Sequence, residues 1–260
     1  MAQNTMQGKT LFVSGGTRGI GKAIVYAFAK EGCNVAFTYA SSADTANEII
    51  ADVEKLYGVK CRAYKLNILE PLTYKDVYKE FDKDFDRLDF FISNAIISGR
   101  AVVGGFGPFM RLKPRGLDNI WTATVDAFVV GAQEATKRME KTGGGSIISM
   151  SSTGNLVYTP NYAGHGTNKA AVETMVRYAA AELGEKNIRV NAVSGGPIDT
   201  DALKAFPNYE EVKAEVVNRS PLSRMGEAQD LTGACLFLCS NDSSWLTGQT
   251  IVVDGGTTFQ

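Results

Sequence analysis

Three side chains in the second half of the chain have types and spacing suited to proton chemistry. Tyr162 and Lys169 lie seven positions apart in the run NYAGHGTNKAA, and Ser152 lies ten positions before the tyrosine. Seven residues make about two helical turns, so both side chains can approach one face of a helix. A hydroxyl near an ammonium group can stabilise negative charge on a substrate oxygen, which makes these residues candidates for catalysis. The alternative for Tyr162 is a ring that only packs at a helix start.

A histidine in the same run offers a second possibility. His165, the one histidine of the chain, lies four positions before Lys169 and could itself donate a proton. Imidazole is shorter than phenol and has a different geometry. The run therefore allows three interpretations: an inactive site, a histidine acid, or a site that uses Tyr162.

Strands and helices that alternate along the chain must position these residues. Short apolar runs followed by amphipathic stretches predict βαβ crossovers and a parallel sheet covered on both faces. No repeat or linker marks a boundary, so we expect one doubly wound α/β domain over residues 1–260, with ligands beyond the carboxyl ends of its strands. The seven predicted strands are 10–14, 34–39, 60–66, 88–93, 146–151, 188–193 and 250–254.

The composition narrows the class of protein. The 260 residues are 44% hydrophobic with a net charge of −1, which argues against nucleic acid or an anionic membrane as a partner. Neither a membrane-spanning run nor a leader pattern is present, so we expect a cytoplasmic protein. Four cysteines without a CxxC pair and a single histidine predict no metal site.

Glycines follow the first predicted strand in the run VSGGTRGIGKA. Gly15 or Gly16 permits a tight turn, Gly19 lets the backbone approach a pyrophosphate, and Gly21 lets the helix pack on the strand. The positive end of that helix would face the phosphates. The spacing differs from the common GxGxxG fingerprint, and a strand–helix turn without a ligand is the alternative.

The end of the second strand bears on the choice of cofactor. An NAD enzyme commonly has a carboxylate there, whereas this chain has none before Asp44. Arg18 in the glycine turn, together with Ser41 and Ser42, could bind a 2′-phosphate. These residues favour NADPH over NADH, although Arg18 as a solvated surface charge is the alternative.

Several motifs together resemble the short-chain dehydrogenase/reductase family along nearly the whole chain. The resemblance implies a Rossmann fold, and the final motif commonly lies at a subunit interface, so a homotetramer is expected. The motifs are SGGTRGIG after the first strand, SNA (93–95), ISMSS (148–152), Lys169 within a helix, NAVSGGPIDTD (191–201) and LTGQTIVVDGG near the C-terminus.

The resemblance also implies roles for individual residues. Lys169 would bond the nicotinamide ribose and lower the pKa of a catalytic tyrosine. The chain departs from the family at two positions. Asn67 lies where the family often has Asp, and Asp126 lies where it often has Asn, so a proton relay through that residue is in question. The implied cofactor-binding residues are Gly15, Thr17, Arg18, Gly19, Ile20, Tyr39, Ser41, Ser42, Asn67, Ile68, Asn94, Ala95, Lys169, Gly196, Ile198 and Thr200.

Within the superfamily, Tyr-x6-Lys is characteristic of enoyl-acyl-carrier-protein reductases. The chain is most similar to the enoyl reductase III (FabL-type) group, which combines this spacing with the ordinary glycine turn. That resemblance implies Tyr162, Lys169 and Ser152 as the catalytic residues and His165 as a supporting residue. The run 96–120 looks longer and richer in glycine than in that group, and it should border the substrate.

The expected reaction is NADPH-dependent reduction of a trans-2-enoyl thioester, carried by acyl carrier protein or CoA, in bacterial-type fatty acid synthesis. Residues 200–225 should form a substrate lid, with Phe206, Val212 and Val216 as its apolar surface. Two alternatives remain. One is a carbonyl reductase acting on a 3-oxoacyl thioester, steroid or small ketone, and the other is a non-catalytic NADP-binding protein.

Overall fold

A seven-stranded parallel sheet organises the chain. The computed structural model describes residues 6–97, 102–204 and 209–259, without the side chains of residues 201 and 202. The strand order β3-β2-β1-β4-β5-β6-β7 confirms the doubly wound fold, and each strand lies within two residues of its predicted bounds. The strands are β1 Thr10–Val13, β2 Asn34–Tyr39, β3 Cys61–Lys65, β4 Phe90–Ser93, β5 Gly145–Ser152, β6 Ile188–Gly195 and β7 Thr250–Val253.

Helices connect the strands and cover both faces of the sheet. Among the described residues, the long helix after β5 runs from Ala163 to Leu183; it contains Lys169 and begins directly after Tyr162. A single π-helical turn, Thr122–Asp126, joins α4 to α5. The α-helices are α1 Gly19–Lys30, α2 Ala43–Tyr57, α3 Tyr74–Asp84, α4 Pro114–Trp121, α5 Ala127–Met139, α6 Ala163–Leu183, α7 Asp201–Lys204, α8 Tyr209–Arg219 and α9 Thr232–Cys239.

Two apolar cores lie on opposite faces of the sheet. Alternate residues of a strand point to opposite faces, so Leu11 and Val13 join one core while Phe12 joins the other. The first core includes Phe28 of α1, and the second includes Phe128 of α5. All four residues of β1 are buried, as expected for a central parallel strand.

The strand order places the candidate residues at one edge of the sheet. The chain passes from β1 to β2 on one side, and β4 lies on the other side of β1. Such a reversal opens a crevice at the carboxyl ends of the strands. The predicted cofactor residues lie at or after the ends of β1, β2, β3, β4 and β6, and the predicted catalytic residues lie at the end of β5 and around the start of α6. No helix in the described part of the chain is long and apolar enough to cross a membrane.

Candidate active site

The turn after β1 has the geometry of a phosphate cradle. Gly15 has φ of +75°, in the left-handed region that glycine favours, so Gly15 rather than Gly16 makes the turn. A β-carbon at Gly21 would lie 1.9 Å from the Gly15 carbonyl oxygen. Helix α1 can therefore pack this closely only with glycine at that position, as the sequence predicts.

The start of α1 is suited to an anion. The first amide groups of a helix have no partner within it and point at a ligand placed there. Gly19 begins the helix, and Arg18 precedes it with an exposed side chain that does not cap the first turn. Thr17 and Ile20 flank this pair and are half-buried. This donor set fits the pyrophosphate of a dinucleotide.

Hydrogen bonds tie the glycine turn to the end of β4. The backbone amides of Asn94 and Ala95 donate to Ser14 Oγ at 2.9 and 3.0 Å. Asn94 Nδ2 donates to the carbonyl oxygens of Ser14 and Gly15 at 2.9 and 3.0 Å. Sequence reasoning placed Asn94 and Ala95 beside the cofactor but missed Ser14, whose position at the end of a strand was the available signal.

The end of β2 presents hydroxyl groups. Ser41 and Ser42 are exposed after Tyr39, and Ser42 precedes α2 without capping it through its side chain. The first carboxylate after β2 is the exposed Asp44. Thr38 Oγ1 accepts a hydrogen bond of 3.0 Å from the Gly15 amide, so the strand also supports the glycine turn. No carboxylate therefore lies between the end of β2 and Asp44 in the sequence, where the 2′-phosphate is predicted to bind.

Asn67 is held in its own turn after β3. Its Nδ2 donates to Glu70 Oε1 at 2.9 Å, and its Oδ1 accepts from the Leu69 amide at 3.1 Å. Ile68 beside it is half-buried. The contact of these residues with an adenine ring stays a prediction.

The segment after β6 closes against the glycine turn. The Gly196 amide donates to the Val253 carbonyl at 3.0 Å, and Ile198 is buried. A methyl group of Thr200 lies 3.7 Å from where a β-carbon of Gly19 would be. Residues far apart in sequence thus lie together beside the glycine turn.

Ser152 and Tyr162 meet at the end of β5. Ser152 is the last residue of the strand, and Tyr162 directly precedes α6. Burial raises the pKa of Tyr162, and the hydrogen bond with the Ser152 side chain opposes this. The tyrosine ring packs against Gly154, where a β-carbon would lie 2.5 Å from it. The ring is therefore held in place by a glycine that the sequence did not single out.

Lys169 is buried and directed toward β5. Its Nζ donates to the Met150 carbonyl oxygen at 2.6 Å. Burial lowers the pKa of Lys169 to about 8, and the charge of Glu173 opposes this shift. The charge of Lys169 also lowers the pKa of His165. Burial raises the pKa of Tyr162, and the lowering effect expected from the charge of Lys169 stays a prediction.

His165 packs between two aromatic rings. Its ring stacks on Tyr162 with centroids 5.3 Å apart, and Phe106 meets both rings edge-on at 5.9 and 6.3 Å. Burial and then the charge of Lys169 lower the pKa of His165 to about 4. The imidazole is therefore neutral at pH 7. A proton donor at neutral pH is better supplied by the Tyr162 hydroxyl.

The glycine-rich segment before α4 docks on the start of α6. The Gly107 amide donates to the Asn161 carbonyl at 2.9 Å. A β-carbon at Gly164 would lie 2.1 Å from the Gly105 carbonyl oxygen, so the two segments touch through glycine. This contact brings Phe106 onto Tyr162 and explains why a segment rich in glycine borders the site. Residues 98–101 lie outside the described residues.

Asp126 lies in the π-helical turn and is engaged there. Its Oδ1 accepts a hydrogen bond of 3.0 Å from the Trp121 indole nitrogen. As a carboxylate, Asp126 accepts a hydrogen bond here, whereas the amide of the usual asparagine can also donate one. No role for Asp126 in a proton relay follows from this contact.

The predicted lid contains two short helices, α7 and α8. Val212 and Val216 are half-buried on α8, which has no fully buried residue among those described. Phe206 lies outside the described residues. A movable cover over the cleft at residues 200–225 stays a prediction.

Comparisons with known proteins agree with this fold. The sequence model of a family described as "Enoyl-(Acyl carrier protein) reductase" matches residues 15–258. The chain is 36% identical over 246 residues to the 1-cyclohexenylcarbonyl-CoA reductase of Streptomyces collinus, covering 94% of this chain and 85% of that protein. It is 33% identical over 248 residues to the 3-oxoacyl-[acyl-carrier-protein] reductase FabG of Staphylococcus aureus, covering 95% and 97%.

A solved structure supports the same class. The short-chain dehydrogenase/reductase of Mycobacterium ulcerans superposes with a TM-score of 0.90 at 26% identity, covering 98% of this chain and 92% of that one. The chain belongs to the short-chain dehydrogenase/reductase family and is a nicotinamide-dependent oxidoreductase. The relatives are named for different substrates, so the narrower FabL-type assignment stays a prediction.

Proposed function

We propose that the protein reduces the carbon–carbon double bond of a trans-2-enoyl thioester with NADPH. The observation that carries the proposal is the position of Tyr162 at the start of α6, with its ring packed on Gly154 two residues after Ser152, the last residue of β5. It uses the Tyr-x6-Lys register that the resemblance associates with enoyl reduction. The relative from Streptomyces collinus supports it, because its named substrate is a thioester with a double bond next to the carbonyl.

The residues of this chain would stabilise charge on the thioester oxygen. Bound NADPH would supply the hydride to the β-carbon of the acyl group. Negative charge then develops on the thioester oxygen, where the hydroxyl of Tyr162, whose ring is fixed against Gly154, would donate a hydrogen bond. Because burial raises the pKa of Tyr162, the hydroxyl keeps its proton while it donates. Water can then protonate the α-carbon.

The residues around the glycine turn support NADPH over NADH. Arg18 and the two exposed hydroxyls of Ser41 and Ser42 supply donors for a 2′-phosphate. A carboxylate in place of these hydroxyls would repel that phosphate, and the nearest one in sequence is Asp44.

The thioester would be carried by acyl carrier protein or CoA, both of which bring negative charge. Arg111, Lys113 and Arg115 are exposed at the start of α4, directly after the segment that places Phe106 on Tyr162. The positive charge of this segment is local, because the whole chain has a net charge of −1. Such a patch attracts an anionic carrier toward the cleft.

Reduction of a 3-oxoacyl thioester is the second candidate. The named relatives support it more than they support enoyl reduction, because several are 3-oxoacyl-[acyl-carrier-protein] reductases at 32–33% identity. The site differs from that chemistry in having His165 four positions before Lys169. A neutral imidazole with its pKa near 4 is a poor source of a proton at pH 7.

One assay distinguishes the candidates. NADPH oxidation is followed with crotonyl-CoA, with acetoacetyl-CoA and with neither substrate. Faster oxidation with crotonyl-CoA is expected. Turnover of acetoacetyl-CoA alone would replace the proposal with carbonyl reduction, and turnover of neither thioester would contradict both.

A further inference from the structure

Two side chains of α6 reach two successive residues of β5. Lys169 Nζ donates to the Met150 carbonyl oxygen at 2.6 Å. One turn later on the helix, Glu173 Oε1 accepts a hydrogen bond of 2.5 Å from Ser151 Oγ. Ser151 is buried and Glu173 is half-buried. Lys169 and a carboxylate one helical turn later thus bond to successive residues of the same strand.

A buried ammonium group needs such a partner. Transfer of a positive charge out of water favours the neutral amine, and a nearby carboxylate favours the charged form. Burial lowers the pKa of Lys169 to about 8 while the field of Glu173 raises it. Glu173 therefore acts against the loss of the Lys169 charge near neutral pH.

The other titratable groups around Lys169 do not supply this negative charge. His165, on the same helix, is neutral at pH 7, and Tyr162 keeps its proton there. Strand β5 carries no ionisable carboxyl or amine, and Asp126 in the π-helical turn accepts from Trp121. The remaining charged side chains on described elements packed against α6 are Arg115, Asp118, Glu185, Lys186 and Arg189.

We propose that Glu173 is a positioning residue that keeps Lys169 protonated, and that Ser151 holds the Glu173 carboxylate in place for this purpose. The effect of Glu173 on the charge of Lys169 does not depend on the proposed function. Only the role of that charge toward a substrate or cofactor rests on it. A charged Lys169 orders the ribose and supports the Tyr162 hydroxyl, whereas a neutral amine would do neither well.

The pKa of Lys169 can be measured directly in the protein without cofactor or substrate. The lysine Cε resonances of ¹³C-lysine-labelled protein are followed by NMR across the pH range, and Lys169→Met identifies the Lys169 signal. Glu173→Gln keeps the shape and removes the charge. We expect it to lower the pKa of Lys169, by on the order of one pH unit, because it removes the negative charge that opposes the effect of burial.

Matched variants separate this role from a general effect on the helix. Glu182→Gln removes an exposed carboxylate from the same helix and should leave the pKa of Lys169 unchanged. Glu173→Asp should restore part of the shift. Should Glu173→Gln not fold, Ser151→Ala releases the carboxylate instead and should lower the pKa of Lys169 by a smaller amount.

Activity gives a second readout. The alkaline limb of the kcat profile should move to lower pH in Glu173→Gln by the same interval as the pKa. An unchanged pKa of Lys169 in the folded Glu173 and Ser151 variants would overturn the inference. If the protein proves not to reduce enoyl thioesters, the NMR result is unaffected, because it is measured without cofactor or substrate. Failure of the proposed function can therefore be distinguished from failure of this inference.

Discussion

Tyr162 and His165 lie close together, and their chemistry differs because of their surroundings. Both rings contact Phe106, yet only the tyrosine hydroxyl has Ser152 as a hydrogen-bond partner among the influences on these two groups. The histidine has a lowered pKa and packs flat on the tyrosine. We therefore propose the donor role for Tyr162 and a packing role for His165.

Tyr162→Phe should cost far more activity than His165→Ala. The first change removes the hydroxyl and keeps the ring, and loss of a pre-oriented donor typically costs on the order of 10²-fold in rate, roughly 3 kcal/mol. The second should cost about tenfold or less, as for a supporting residue. Steady-state rates of both folded variants test this order. A severe loss in His165→Ala with near-normal Tyr162→Phe would show that the short register is used.

His165 should make the fold sensitive to mild acid. Its pKa is about 4 in the folded chain against 6.5 for an ordinary histidine, so the unfolded chain binds more protons between these values. Stability from this group is full above pH 6.5 and falls as the pH drops toward 4, by about 2–3 kcal/mol at most. Denaturant unfolding of the unmodified protein and His165→Phe at several pH values measures it. An identical pH dependence in the two proteins would contradict this assignment.

At the scale of elements, the glycine turn and α1 form one close-packed unit. Gly21 faces the Gly15 carbonyl so closely that any side chain must displace backbone. Phe37 of β2 similarly occupies the space where a β-carbon of Gly16 would lie, at 2.6 Å. These contacts explain the glycine pattern independently of any ligand, and they also hold the helix start where a phosphate can reach it.

Gly21→Ala should destabilise the protein and weaken cofactor binding together. Overpacking against backbone typically costs about 1–3 kcal/mol, and the displaced turn would lose its fit to phosphate. Gly233→Ala is the matched control, because nothing lies within 4 Å of a β-carbon there and α9 would gain helix propensity. Thermal unfolding and NADPH titration measure both effects. Equal stability in the two variants would rule out the close contact.

Arg18→Ala should change the choice of cofactor. Arg18 directly precedes α1, in the glycine turn that is hydrogen-bonded to Thr38 near the end of β2, so its loss should raise the KM for NADPH much more than that for NADH. Loss of a charge-assisted hydrogen bond of this kind costs roughly 1.5–3 kcal/mol, on the order of tenfold or more in affinity. Kinetics with both cofactors provide the measurement. Equal use of NADH and NADPH by the unmodified protein would refute the preference.

At the scale of the whole molecule, the sheet ends in an edge strand at β7. In the described chain, β7 pairs with β6 and its residues are only partly covered, with Val252 41% exposed. Trp245, close before β7 in sequence, is fully exposed. Exposed apolar residues beside an unpaired strand edge are suited to an interface between subunits.

We expect a homotetramer in solution. Light scattering after size exclusion should give about four times the 28.0 kDa mass of one chain. Val252→Lys, which places a charge at the edge strand, should shift the population to smaller species. Arg177→Ala, an exposed change on α6, serves as a control. A monomer mass for the unmodified protein across the concentration range would refute the tetramer.

Sequence patterns were sufficient to predict the architecture of this chain. Seven apolar runs separated by amphipathic stretches were enough to predict the parallel sheet, because both patterns are local and repeat along the chain. Gly15, Gly19 and Gly21 were assigned correctly to a turn and a helix start, since backbone conformation depends mainly on neighbouring residues.

The tertiary structure decided the electrostatics and the packing around the candidate catalytic residues. Phe106, Gly154 and Glu173 influence the site from segments that spacing alone does not bring together. The pKa of His165 and of Lys169 depends on burial, which is a property of the folded molecule and not of a sequence motif. The spacing of two residues in the sequence can suggest that their side chains lie close together. Their charge states depend on burial and on neighbouring charges, which only the fold determines.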